Sequence, residues 1–325
     1  MPRILITGGA GFIGAHLANK LSKLKKNKIL VVDFLKSKGG IPYLNPKNEF
    51  IKGNLTKKSV LKKIEKWKPE IIYHLAAQSG SEGAYEDPEE DLLSNALGTY
   101  LLASLAKKIK CKKFFYTSTV AVYGNKKKCI SENSDINPDS IYGVSKYAGE
   151  LFLKQLLVNT KVKTCIFRLF NTYGPGENLY NQKKGMVSIF CSYVWQNKPI
   201  IVKGSLDRYR NFTYVNDCAE ILAKSLNNPK LKNFEILNLT SGKKITVKEL
   251  INKILKIKKL KNYKIKENEG TPGDSFGFDA KNSHLKKRFP KIKFTDIESG
   301  LRQYFKWIDK IPKRANLRKY HPFSK

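Results

Sequence analysis

A glycine-rich turn between a strand and a helix constrains this chain more than any other feature. Ile4, Leu5 and Ile6 form an apolar strand-like run, and Thr7-Gly8-Gly9-Ala10-Gly11-Phe12-Ile13-Gly14 follows it and opens a helix-like stretch. Glycines at these spacings permit a tight turn, close approach of a pyrophosphate to the backbone, and close packing of helix on strand. The first helical amides then face the phosphates with the favourable end of the helix dipole. Taken alone, such a run could be a structural turn beside an exposed aspartate. Its position after the first strand, with Asp33 ending the second at the expected distance, supports dinucleotide binding. A carboxylate there accepts hydrogen bonds from the adenosine ribose and repels a 2′-phosphate. Phe34 and Leu35 supply no compensating cation, so the residues favour NAD over NADP.

The rest of the first half fits that start. Strand-like runs at Ile4–Thr7, Ile29–Asp33, Glu49–Lys52, Ile71–Leu75, Phe114–Thr117 and Thr164–Arg168 alternate with helical periods at Gly11–Leu24, Lys57–Lys66, Leu92–Lys108 and Tyr142–Val158. Alternation of this kind predicts an α/β fold, a Rossmann-type doubly wound parallel sheet with ligands at the carboxyl ends of its strands. After Tyr173-Gly174-Pro175-Gly176 the alternation weakens. A strand-like Phe212–Val215, a helix from Asp217, a strand Ile236–Leu239 and a helix near Val247–Leu255 follow. The expected division is a dinucleotide-binding domain over 1–174, with a returning segment near 212–242. A smaller mixed, mainly substrate-binding region covers 175–325.

Composition removes several alternatives. The 325 residues are 41% hydrophobic, enough for a substantial core, and contain no apolar run of the roughly 20 residues a membrane span needs. A strand-like run begins directly after Met1, so no secretory signal is expected and the reading is a cytoplasmic protein. Five scattered cysteines without CxxC spacing argue against a disulfide framework or a zinc site. The net charge of +35 raises the question of nucleic acid. Only eight of the 62 basic residues are arginine, however, and the lysines are spread over nearly every predicted surface with no aromatic-basic stripe. The expectation is a solvated lysine-rich surface, with no specific nucleic-acid partner and no membrane partner.

A second constellation carries chemistry. Tyr142 and Lys146, four residues apart at the start of a predicted helix, share one helical face. A lysine charge there favours phenolate, and the phenol can exchange a proton with a hydroxyl while hydride moves to or from a nicotinamide. Upstream, Thr117-Ser118-Thr119 ends a strand and leads into Val120-Ala121-Val122-Tyr123-Gly124, so a hydroxyl there can hold a reacting alcohol or ketone.

With these residues in view, the chain resembles the extended short-chain dehydrogenases/reductases, the NAD-dependent nucleotide-sugar epimerase and dehydratase group. The matching stretches are Thr7–Gly14, His74-Leu75-Ala76-Ala77-Gln78, Asn95 with Gly98-Thr99, Thr117–Gly124, Tyr142–Lys146, Arg168–Pro175 and Arg210–Asp217. The resemblance implies a catalytic triad of Thr119, Tyr142 and Lys146. It implies NAD contacts from Gly8, Gly11, Phe12, Ile13, Gly14, Asp33, Asn54, Leu55, Leu75, Ala76, Ala77, Asn95, Thr117, Tyr142 and Lys146. Substrate contacts would come from Ser79, Ser118, Thr119, Asn171, Arg210 and Asp274, with Arg210 on a diphosphate. His74 reads as a structural residue at a strand end. Thr271 stands where a second phosphate-binding arginine is common, and Lys183, Lys184 or Arg208 could compensate. A homodimer is implied by resemblance alone.

The residues after Thr119 bear on the reaction. Dehydratases of the group carry an Asp-Glu pair there, whereas Val120 and Ala121 cannot transfer a proton. The expectation is a nucleotide-sugar 4-epimerase, acting on a UDP-hexose or UDP-N-acetylhexosamine by transient oxidation at C4. The alternatives are a 4-keto reductase or 4-oxidase on a nucleotide sugar and, from another class, a noncatalytic NAD-binding scaffold.

Overall fold

The computed structural model describes residues 1–24, 26–35, 45–126, 129–270 and 275–312. Seven parallel strands form its main sheet, in the order β10-β6-β5-β4-β1-β2-β3. These are β1 (Arg3–Thr7), β2 (Lys28–Asp33), β3 (Glu49–Lys52), β4 (Ile71–His74), β5 (Lys113–Thr119), β6 (Lys163–Leu169) and β10 (Phe234–Leu239). The strand order reverses between β1 and β4, which opens a crevice at their carboxyl ends.

Side-chain alternation explains the layers. Ile4 and Ile6 of β1 point to one face and Leu5 to the other, and both faces are apolar because helices cover both. On the first face lie α1 (Phe12–Ser22), α8 (Val215–Ser225) and α10 (Ser283–Arg288), which bring in Leu17, Leu21, Ile221, Leu222 and Leu285. On the other lie α2 (Lys58–Trp67), α5 (Gly98–Lys108) and α6 (Ile141–Leu157), with Ile64, Leu102, Leu153 and Leu157. The sequence reads one helix over Leu92–Lys108; the chain instead makes a short helix α4 (Pro88–Asp91), a π-helical segment Leu92–Leu97 and then α5. Such single π turns are common beside functional sites.

Within the segment 212–242, only β10 enters the main sheet, beside β6. The strand read at Phe212–Val215 is β9 (Tyr209–Tyr214), which pairs with β7 (Asn171–Tyr173) and β11 (Lys244–Thr246) in a separate three-stranded sheet. A further core joins α7 (Met186–Trp195), α9 (Val247–Ile257) and α11 (Ile297–Ile308). The capping box of Thr246 and Glu249 fixes the start of α9. No helix among the described residues is long and apolar enough to cross a membrane.

Candidate active site

The crevice begins where β1 runs into the glycine turn. Gly8 has φ +68°, and a Cβ on it would lie 2.6 Å from the Ala76 amide nitrogen after β4. A Cβ on Gly14 would lie 2.1 Å from the Gly8 carbonyl oxygen, so α1 is seated directly on the turn. Gly11 begins α1 with no side-chain cap, which leaves the amides of Phe12, Ile13 and Gly14 without intrahelical partners. At the end of β2, Asp33 closes over this turn. Its Oδ2 accepts from the Ala10 amide at 3.0 Å and its Oδ1 from the Leu35 amide at 2.9 Å. Burial raises its pKa, and the backbone donors oppose that shift.

The remaining cofactor candidates border the same crevice. Asn54 Oδ1 accepts from the amide and the hydroxyl of Thr56, which turns the chain into α2. Leu55 is buried, Leu75, Ala76 and Ala77 are half-buried, and Thr117 is buried near the end of β5. A cradle that a Cβ would fill, uncapped helix amides and a carboxylate at the end of β2 together fit NAD. Gly14→Ala is expected to force α1 off the turn and weaken NAD binding about tenfold or more, a cost of about 1.4 kcal/mol. NAD released per mole of denatured protein measures this, and full retention would show that the helix can shift without harm.

Beneath the crevice, His74 is wholly buried and hydrogen-bonded at both ring nitrogens. Thr99 Oγ1 donates to the Asn95 carbonyl at 2.6 Å, so toward His74 Nε2, 2.9 Å away, it acts as acceptor. On the other side, Thr7 Oγ1 lies 2.7 Å from Nδ1 and takes the Ala76 amide at 3.3 Å. The direction of donation runs Ala76, Thr7, His74, Thr99, Asn95, with the His74 proton on Nε2. Burial and, to a lesser degree, the Lys146 charge push the His74 pKa down to about 3. A neutral imidazole with both nitrogens engaged ties the glycine turn to the π segment and has no free nitrogen to offer a substrate.

The reacting groups meet at the next two strand ends. Thr119 is the last residue of β5, and its Oγ1 accepts from the Ala121 amide at 3.2 Å, capping a short 3₁₀ turn over Val120–Tyr123. Ser140 caps α6 through the Gly143 amide at 3.1 Å. Gly143 lets α6 touch that turn, since a Cβ there would lie 2.6 Å from the Ala121 carbonyl oxygen. The result brings the Tyr142 phenol close enough to Thr119 for the threonine side chain to act on it. Lys146, 2% exposed, lies one turn further with Nζ 4.2 Å from the centre of the Tyr116 ring.

The electrostatics differ from the simple expectation that lysine lowers the tyrosine pKa. Burial dominates and pushes the Tyr142 phenol up to about 12, with the Thr119 hydrogen bond opposing. Burial likewise pulls Lys146 down to about 7, against the carboxylates of Glu150 and Asp91. Enclosure disfavours both charged forms before either group can help the other.

Around this pair, Ser118 Oγ and Asn171 Nδ2 are buried without hydrogen-bond partners among the described residues. Ser79, in the loop after β4, accepts from Lys184 Nζ at 2.5 Å, and Lys183 pairs with Glu86. Arg210 on β9 is buried, 4% exposed, and stacks on Phe278. Its guanidinium donates to the carbonyls of Tyr209, Phe276 and Ser275 at 2.8, 3.0 and 2.7 Å. It thereby braces the segment following 271–274. Thr271 and Asp274 lie outside the described residues.

Three contributors escaped the sequence reading. Asp91 looks like part of the acidic surface run Glu89-Glu90-Asp91, yet it is 0% exposed; its position four residues before Asn95 was the available signal. Ser145 Oγ receives a hydrogen bond from Asn95 Nδ2 at 3.0 Å, and Gly143 sets the helix-turn approach. Neither is visible without the packing of α6 on its neighbours.

Comparison with known proteins agrees with this geometry. The sequence profile of the NAD dependent epimerase/dehydratase family matches residues 4–240. A putative UDP-glucose 4-epimerase of Methanocaldococcus jannaschii is 35% identical over 251 residues, 77% of this chain and 80% of that protein. A dTDP-D-glucose 4,6-dehydratase of Dictyostelium discoideum is 34% identical over 75% of this chain and 61% of its own length. In three dimensions, the UDP-glucose 4-epimerase of Thermotoga maritima, solved with UDP-glucose, superposes with a TM-score of 0.88. It is 26% identical, and the match covers 95% of this chain and 99% of that one. The chain belongs to the NAD dependent epimerase/dehydratase family of extended short-chain dehydrogenases/reductases, and NAD is its cofactor.

Proposed function

We propose that the protein is a nucleotide-sugar 4-epimerase, acting on a UDP-hexose or UDP-N-acetylhexosamine. The observation that carries this reading is the composition of the turn beside the reacting hydroxyl. Thr119 and Tyr142 can handle one proton, while Val120, buried in an apolar cluster with Val122 and Phe170, and Ala121 can handle none. Loss of water from a sugar needs a second acid-base group beside the first; this turn offers only oxidation and reduction at a single carbon.

NAD, when bound, supplies the hydride acceptor and donor. Tyr142 takes the proton of the sugar's C4 hydroxyl and gives it back after the 4-keto sugar has turned in the pocket. Thr119 holds the same oxygen in line with the phenol, and the Lys146 ammonium stabilises the phenolate. The buried Ser118 and Asn171 groups would take up polar atoms of the substrate, with Ser79 facing the sugar. Arg210, through the segment it braces, and Asp274 would serve the nucleotide diphosphate. In this reading residues 1–174 hold NAD, and 175–325 mainly hold substrate. Leu92, Tyr100, Val144 and Leu151 are exposed apolar residues on the π segment, α5 and α6, which form the face offered to a second copy in a homodimer.

The test is a proton NMR time course of the purified protein with separate UDP-, GDP-, CDP- and dTDP-sugars and no added cofactor. A new anomeric signal from an isomeric product is expected with a UDP-sugar. Turnover only when NAD or its reduced form is supplied would replace the proposal with a net 4-oxidase or 4-keto reductase. Loss of the C6 hydroxyl would replace it with a dehydratase.

A further inference from the structure

Asp91 sits where α4 passes into the π segment, with no exposed surface. Carboxylates are seldom buried this far unless something charged or polar answers them. Asn95 Nδ2 donates to its Oδ1 at 2.6 Å, while Oδ2, also buried, has no hydrogen-bond partner among the described residues. The same amide donates to Ser145 Oγ at 3.0 Å, and Ser145 donates to the Tyr142 carbonyl at 3.0 Å. Asp91 is therefore joined through two side chains to the first two turns of α6, which carry Tyr142 and Lys146.

Lys146 is the buried cation that feels this carboxylate. From α6 itself Glu150 also acts on Lys146, but Arg168 already engages both Glu150 oxygens, from Nε at 3.0 Å and Nη2 at 2.6 Å. Tyr116 covers the ammonium from β5, and His74 on β4 is neutral. Asp87 and Glu90, on Asp91's own segment, add only negative charge. Asp91 adds to Glu150 a second carboxylate that favours the charged form of Lys146, and unlike Glu150 it has no arginine bound to it among the described residues.

We propose that Asp91 is a positioning residue for the proton-transfer pair, its carboxylate serving as counter-ion to the buried Lys146 and fixing Asn95 against Ser145. This rests on Tyr142 and Lys146 being the reacting groups. Burial holds Asp91 up at about 6 and Lys146 down at about 7, and the attraction between the two charges opposes both shifts. Loss of one negative charge makes every neighbouring proton easier to remove, so Tyr142 and Lys146 both titrate at lower pH.

Asp91→Asn removes the charge and keeps an acceptor for Asn95; Asp91→Ala removes both, and Asp91→Ser replaces Asn should that variant fold poorly. The first measurement needs no sugar. Tyrosinate absorbance of the NAD-bound protein is titrated with and without Tyr142→Phe, so that the difference isolates Tyr142. In Asp91→Asn that difference curve is expected to move to lower pH by about half a unit to one unit, a threefold to tenfold change in proton affinity. The second is the pH profile of turnover, whose alkaline limb moves the same way and which Asp91→Glu restores in part. Superimposable phenol titrations and pH profiles would overturn the proposal, however far the rate falls, because a purely structural role moves neither. If the parent protein turns over no nucleotide sugar, the epimerase reading fails while the phenol titration still decides the role of Asp91.

Discussion

Tyr142→Phe is expected to reduce turnover by about 10³-fold and to leave NAD bound. The phenol oxygen is the only part removed, and within the pair of Thr119 and Tyr142 it is the group that can carry charge when a C4 hydroxyl gives up its proton. Thr119 cannot replace it, because its own oxygen already accepts from the Ala121 amide and an alkoxide is far more basic. The glycine turn and Asp33, which we propose hold NAD, lie elsewhere in the crevice, so cofactor content should match the parent. Stability should change by only about 1 kcal/mol, the usual size of the loss when a single hydroxyl is removed. The anomeric NMR assay and the NAD content of the purified variant check both halves. Turnover within a few-fold of the parent would remove Tyr142 from the mechanism, and NAD loss in parallel would make it a cofactor residue instead.

The glycine turn and the strand-helix junction around it were legible because their requirements are local. A pyrophosphate-binding turn needs glycines at particular steps along one strand-helix junction; Gly14 is seated on Gly8 there, and Asp33 accepts from the Ala10 amide between them. The six strands of the first half were readable for the same reason: each is a short run containing β-branched or aromatic residues, and all but the edge strand β3 are largely buried between helices on two faces. Boundaries shifted where packing decided them. Lys113–Thr119 extends to the residue that caps the 3₁₀ turn, and the helix read over Leu92–Lys108 gives way to a π segment that turns Asn95 toward Asp91, Gln78 and Ser145. The environment of the reacting pair was not legible. Tyr142 and Lys146 could be picked out by their spacing, but the sign of the shift on Tyr142 depends on how deeply α6, β5 and the π segment enclose it. Arg210 shows the same limit: the resemblance implies a diphosphate contact, but nothing in the sequence announces that its guanidinium also donates to carbonyls 65 and 66 residues away.

That enclosure leads to the second large effect, a trade between stability and activity at Lys146. An unfolded lysine keeps its proton up to its ordinary value of 10.5, whereas burial lets the folded one release it near 7. Between those values the unfolded chain binds more protons than the folded chain, so this residue's contribution to stability rises with pH and its full cost is present below about 7. The upper bound on that cost is about 5 kcal/mol. Lys146→Met keeps the length of the side chain and its contact with Tyr116 but has no charge to desolvate. It is expected to unfold at higher denaturant concentration than the parent at pH 6 to 7, by a few kcal/mol, with the gap closing above the lysine's ordinary value. Turnover should meanwhile fall by about 10² or more, since the phenolate loses its neighbouring cation. Both proteins are compared with NAD in equal excess, because cofactor bound to the folded state alone adds stability of its own. A destabilised Lys146→Met at pH 7 would mean that attraction to Asp91 and Glu150 outweighs burial. The double variant with Asp91→Asn separates the two terms: if the carboxylate pairs with Lys146, removing both costs less than the sum of removing each.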